Sequence, residues 1–291
     1  MSHPSIPFTA AMLMLATLGV FIHEAGLDPV TTVFFRCAFG AAILLLFCAY
    51  KGMLTRRNVS AKNLGLALFS GVLMCVNWVT FFEAIHRVGI SAATIVFHVQ
   101  PFLVLILGSL LLKERVSADN YGWVGVGFAG LVLACGLGPD TSLSTGYLIG
   151  IAFTLTGAVA YAGVTLTTRS IRGMPPTLTA LTHCVTAAVL TAGFVTIPAG
   201  GIAAGQWAWL AGLGLIPTAL AYVLIYGATP RMETAAIAVL TFVYPASAVV
   251  LDVLVYDHIV GATQVAGFAL IVAASLGVNL RWRFFPSLKR A

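Results

Sequence analysis

Long runs without formal charge, broken only by short loops, recur from one end of this chain to the other. Such runs form transmembrane helices, each needing about 20 residues to cross roughly 30 Å of hydrocarbon. Charged residues make up 8% of the 291 positions. A soluble domain carries about 25%, so this chain has too little charge for a surface facing water on all sides. The spans fall near 6–23, 29–50, 63–85, 90–112, 120–138, 145–167, 176–197, 207–227, 234–256 and 263–281. Gly26 and Pro29 separate the first two, because both residues continue a helix poorly. The N-terminal MSHPSIP lacks the basic start of a signal peptide, so the first run is expected to stay as a helix.

Residues 77–115 organise the rest. Two apolar runs meet at a tight turn, His86–Gly89, and close on Lys113, Glu114 and Arg115. Asn77, Thr80, Thr94, His98 and Gln100 lie where lipid would reject them. Polar groups survive in hydrocarbon by pairing or by facing a wet cavity. The stretch therefore reads as a helical hairpin with a polar inner face.

Lys and Arg sit in alternate loops. With a cytoplasmic N-terminus, thirteen fall inside, only Arg87 falls outside, and Arg36 lies within the second span. That bias orients a membrane protein and puts both termini in the cytoplasm. It also accounts for the net charge of +6 without nucleic acid. The cysteines Cys37, Cys48, Cys75, Cys135 and Cys184 all fall in apolar runs without a CxxC pair. They read as small packing residues, with no metal site.

The chain repeats itself. A shift of 144 residues lays Ala84 on Ala228, Arg87 on Arg231, Ala92 on Ala236, Val99 on Val243 and Pro101 on Pro245. It also lays Trp78 on Tyr222 and Phe82 on Tyr226. A shift of 147 lays Pro29 on Pro176, Arg36 on His183 and Cys37 on Cys184. Each unit holds five spans, an odd number, so the second copy crosses the membrane upside down. The expected architecture is an all-α integral membrane protein of ten helices. Two inverted five-helix repeats, 1–140 and 141–291, enclose a central cavity. Inverted repeats are a common build of secondary transporters, with the site between the halves.

Laid out this way, the chain resembles the drug/metabolite transporter superfamily in its ten-helix EamA-like form. The resemblance rests on Arg36, Asn77 with Phe81 and Phe82, Ser91-Ala92-Ala93, Pro101, and Leu112 with Glu114. The second half offers Tyr222, Ala228, Ala235 and Pro245; where the family closes on Glu, this chain has His258 beside Asp257. The resemblance implies a cavity lined by the first, third, fourth, sixth, eighth and ninth spans. It also implies a multi-pass place in a bacterial cytoplasmic membrane. The branch exporting aromatic amino acids and some cationic drugs is the nearest in its aromatic-rich hairpins.

Candidate substrate-binding residues follow from polarity and helical spacing. Asn77, Trp78, Phe81 and Phe82 share the third span with Ser70, Met74 and Ile85 on one stripe. Thr94, His98 and Gln100 mark the fourth, with Thr94 and His98 on one face. Tyr161, Tyr222 and Tyr244 add rings with polar tips. Aromatic stripes are most often core, but a wall of this kind also binds flat apolar groups or a cation face-on. Pro101 and Pro245 lack an N–H and free the carbonyls of Phe97 and Thr241, which places a kink in each helix. Arg36, Glu83 and Asp252 are the intramembrane charges, the two acids near span ends where solvation is easier. Arg36 reads as a structural pair, a snorkelling anchor or a substrate contact. In the fifth and tenth spans, Gly122, Gly130 and Ala134, and Ala269, Ala273 and Gly277, form stripes suited to close packing within or between chains.

No GxxxxGKS/T loop is present, so ATP is not expected to drive the protein directly. No GxSxG, HExxH or Ser/His/Asp grouping stands out, and no cofactor is implied. The leading expectation is a secondary transporter exporting small amphipathic metabolites, neutral or aromatic amino acids first. Its partners would be that small solute and membrane lipid, the chain acting as a monomer or weak homodimer. Alternatives are a proton-coupled drug antiporter, a nucleotide-sugar or metabolite antiporter, or a channel or sensor. An antiporter for phosphate esters would want several cations in the cavity, and only Arg36 and His183 are on offer.

Overall fold

The computed structural model describes residues 4–55, 58–112, 117–134, 144–232, 237 and 240–284. Arg56, Arg57, Lys113, Glu114, Arg115, Cys135, Gly138, Ala235, Ala236, Lys289 and Arg290 lie outside the described residues, as does the Leu112 side chain. Seven stretches are long and apolar enough to cross a membrane by themselves. One of them, Ala61–Phe97, is too long for a single crossing and is divided at Gly89, whose φ of 81° breaks the helix. Only glycine takes that backbone at little cost.

Ten helices result among the described residues, and no strand. They are α1 (Ser5–Ala25), α2 (Pro29–Tyr50), α3 (61–88), α4 (90–112) and α5 (Ala118–Ala134). Then come α6 (Thr145–Thr168), α7 (Pro176–Phe194), α8 (Ala204–Arg231), α9 (Val243–Tyr256) and α10 (Ala262–Asn279). The all-α, multi-pass membrane fold is the expected one. Span edges agree to a few residues except where α9, expected from 234, has its described helix from Val243.

Local chemistry sets the ends. Asp28 caps α2, accepting from the Thr31 amide at 3.0 Å, with Pro29 in the first turn. Ser60 and Ser144 cap α3 and α6 in the same way. Gly26, at φ 60°, ends α1 in the left-handed conformation. Mid-helix, α4 is interrupted at His98–Val99, where amides reach back three residues rather than four. The interruption lies three residues before Pro101, and α9 likewise starts anew at Phe242, three before Pro245. The missing proline N–H loosens the turn ahead of it.

The helices pack most extensively as α3 on α6, α5 on α10 and α2 on α7. Asn77 donates to the Gly157 carbonyl at 3.0 Å, and a side chain on Gly157 would strike Asn77 and Thr80. The small-residue stripes of α5 and α10 meet within one chain. Gly130 abuts the Gly267 backbone, and Gly277 lies under the Trp123 ring. Ala269 faces outward, so the contact runs through Gly267, Ile271 and Ala274 instead. Cys37, Cys48, Cys75 and Cys184 are buried free thiols.

Candidate functional site: a ring-walled central cavity

A cavity of about 350 Å³ lies at the centre of the bundle, within the roughly 300–1,000 Å³ usual for small-molecule pockets. Its walls come from α1, α2, α3, α4, α6, α8 and α9. The stripe on α3 presents Asn77, Trp78, Phe81 and Phe82 to it. These residues sit at helical spacing on a face that is buried from Ser70 to Ile85. Tyr161 faces them from α6, Tyr222 and Tyr226 from α8, and Tyr244 from α9. The Tyr222 and Tyr226 rings stack at 6.0 Å, as residues four apart on one helix can.

The interruption in α4 brings Phe97, His98 and Gln100 into the same wall. His98 Nδ1 donates to the Thr94 carbonyl at 2.7 Å, so the ring is fixed and Nε2 is left as its second polar atom. The His98 ring stands 5.6 Å from Tyr244 and 6.2 Å from Phe242.

Of the expected binding residues, nine line this cavity: Asn77, Trp78, Phe81, Phe82, His98, Gln100, Tyr161, Tyr222 and Tyr244. Thr94 does not. Its side chain is buried and bonds the Tyr244 hydroxyl, and its carbonyl holds His98. Pro101 lines a neighbouring 240 Å³ cavity with Ser275 and Asn279, while Pro245 is buried inside the α9 packing.

The charged residues separate. Glu83 pairs with Arg87 on the surface of α3. Asp252 is not solvated as its place near a helix end suggests; it is 1% exposed. Its Oδ2 accepts from the Ser91 amide at 3.0 Å and from the Ser91 hydroxyl, and its Oδ1 accepts from His258 Nδ1 at 2.9 Å. The bend at Gly89 turns the first amides of α4 toward α9, which gives this carboxylate its donors. Arg36 neither snorkels nor pairs with an acid among the described residues. It is buried in the cavity wall.

Two features lay beyond the sequence reading. Phe8, Met12, Leu15 and Leu18 of α1 complete the wall, and nothing in their apolar spacing marks them. Thr218 holds Arg36 from the widened, π-helical turn of α8 at Leu215–Leu220. Pro217 inside that helix was the available signal.

A second cavity, about 440 Å³, shares Tyr161 and Tyr226 with the first and runs out to Arg169, Ile171 and Met174. In its wall His183 is hydrogen-bonded to Ser70 at 2.8 Å, tying α7 to α3. A third, of about 340 Å³, lies at the Gly89 end beside Asp252 and His258 and shares no lining residue with the central one. The central cavity also adjoins the 240 Å³ one, through Phe97, His98, Gln100, Ile237 and Thr241.

The EamA-like transporter family matches this chain twice, over residues 6–136 and 148–280. The uncharacterized transporter YxxF of Bacillus subtilis is 26% identical, covering 92% of this chain and 86% of its own. The pseudopaline exporter CntI of Pseudomonas aeruginosa is 24% identical over 92% and 93%. The threonine/homoserine exporter RhtA of Salmonella typhimurium is 28% identical over 88% and 83%. A solved crystal structure shares the fold with a TM-score of 0.67 at 18% identity, covering 94% of this chain and 95% of that one.

Proposed function

The chain belongs to the EamA-like transporter family, and from that membership we propose that it exports small amphipathic metabolites, neutral and aromatic amino acids first. Export runs across the cytoplasmic membrane by alternating access. The observation that carries this reading is the ring-walled cavity, which the larger cavity running out to Arg169 adjoins. Aromatic rings take up the flat or apolar part of a solute, while Asn77, Gln100 and His98 offer hydrogen bonds to its polar part. Two of the relatives are exporters by name, one of them of the amino acids threonine and homoserine.

The mechanism divides the chain into halves 1–140 and 141–291, inverted with respect to each other. In support, Cys37 and Cys184, which overlay in the repeat, lie side chain to side chain where α2 meets α7. Equivalent residues meet in this way on a two-fold axis. The surplus of Lys and Arg favours a cytoplasmic place for the Arg169 end. One chain encloses the whole cavity, and a monomer suffices.

The test is purified protein in liposomes loaded with a panel of labelled amino acids, with and without a pH gradient. Saturable efflux of phenylalanine, tyrosine or threonine is expected, and it persists without the gradient in a facilitator. Efflux that rises with concentration without a plateau would mean a channel. Efflux of none of the panel would remove amino acids from this reading.

A further inference from the structure

Arg36 is a cation deep inside the protein with an unfinished set of hydrogen bonds. An arginine inside a membrane span is costly, and a carboxylate partner usually offsets that cost. Among the described residues none does. The guanidinium lies over the Trp78 ring at 4.6 Å and near the Phe82 ring at 5.4 Å. Its Nε donates to Thr218 Oγ1 at 2.8 Å. Its Nη1 is buried and has no acceptor among the described residues.

The surroundings hold this arrangement in place. Pro217 cannot donate to the Leu213 carbonyl four residues back, and the Thr218 hydroxyl donates there instead, at 2.8 Å. That fixes the hydroxyl proton and leaves the oxygen lone pairs for Arg36 Nε. Two rings and one hydroxyl thus orient the fork while sparing its outer N–H groups. Among the described residues, Arg36 is the only Lys or Arg lining the cavity, and no Asp or Glu lines it.

We infer that Arg36 is the specificity-determining residue for the solute and reads a carboxylate, the ring wall taking the apolar part. Its planar donors match a carboxylate two-on-two. One cation suits a single negative charge better than a dianionic phosphate. This inference rests on reading the central cavity as the transport site, and it narrows the substrate class to carboxylates.

The experiment measures binding of 3-phenylpropionate, phenethylamine and phenyl phosphate to the purified full chain in nanodiscs by calorimetry. Wild-type protein is expected to bind the carboxylate tighter than the amine or the phosphate. Arg36→Gln is expected to lose at least roughly 30-fold in carboxylate affinity, the loss typical of truncating one member of a buried charge pair. Arg36→Lys keeps the charge without the fork and is expected to fall between. It also serves where the Gln variant does not elute as a monodisperse species. Wild-type protein that binds the amine or the phosphate as tightly as the carboxylate, or binds no carboxylate, overturns the inference. So does an Arg36→Gln variant with unchanged carboxylate affinity. Carboxylate binding through Arg36 without amino-acid efflux in liposomes would sink the amino-acid reading and leave this one standing. Efflux of amino acids by Arg36→Gln with their preference over amines intact would do the reverse.

Discussion

The two ends of the helix bundle are built from different chemistry. At the Gly89 end, helices are pinned to one another across the chain. Asp252 joins α9 to the start of α4. The Tyr256 hydroxyl donates to Glu24 at 2.9 Å, with the His23 ring 4.3 Å from the tyrosine. Gln206 donates to the Ala25 carbonyl at 2.8 Å, and Thr196 donates to Asp28 at 2.6 Å. Glycines let the backbones close up: a side chain on Gly19 would run into Ile90, and one on Gly150 into Val88. At the Arg169 end, Asn63 of α3 donates to the Arg172 carbonyl at 2.6 Å. Lys51, Lys62, Arg169, Arg172 and Arg231 stand around that rim. Like charges repel and seek water, whereas the acids Glu24, Asp28 and Asp252 at the other end find donors. The difference teaches that, among the described residues, the cross-helix polar contacts gather where the acids are, away from the rim that carries the cations.

This comparison can be broken or sharpened with cysteine-labelling rates at Leu18→Cys in a background lacking the native cysteines, reagent applied from the Gly89 side. The largest effect is expected from Gly19→Leu, which wedges α1 off Ile90. Overpacking of that kind costs about 1–3 kcal/mol. Labelling should rise by one to two orders of magnitude, roughly as that energy shifts a two-state population. Asp252→Asn comes next. It removes the charge that the Ser91 donors and His258 converge on, a change of about 1–2 kcal/mol, and labelling should rise roughly tenfold. The smallest is Tyr256→Phe, which loses one half-exposed hydrogen bond worth about 0.5–1.5 kcal/mol, for a few-fold change at most. Asn63→Ala at the opposite rim should leave the rate from the Gly89 side unaltered. An equal response to Gly19→Leu and Asn63→Ala would dissolve the distinction between the ends.

Much of the site was legible along the chain because lipid makes polarity conspicuous. Asn77, His98 and Gln100 stood out in apolar runs, and the i, i+4 rings on α3 and α8 declared one face each. Thr94 stands one step back from the cavity. Being one turn from His98 put it on the stripe, but only the packing shows its buried side chain against Tyr244 and its carbonyl on His98. Asp252 looked solvated because it sits four residues before a helix end. The bend at Gly89 folds the amide of Ser91 over it, a contact across 161 positions. Phe8 and Met12 gave no signal, since an apolar residue facing a cavity reads the same as one facing lipid.

The sequence by itself determined the number of helices, where they begin and break, which faces carry rings, and which loops carry positive charge. Those properties depend on period, capping and transfer energy, all of which act within one or two helical turns. Only the tertiary structure decided that Arg36 meets Thr218 instead of an acid, and that Ser91 and His258 converge on Asp252. Both follow from which helices become neighbours. Contacts between residues more than a hundred positions apart leave no periodicity in the chain that makes them.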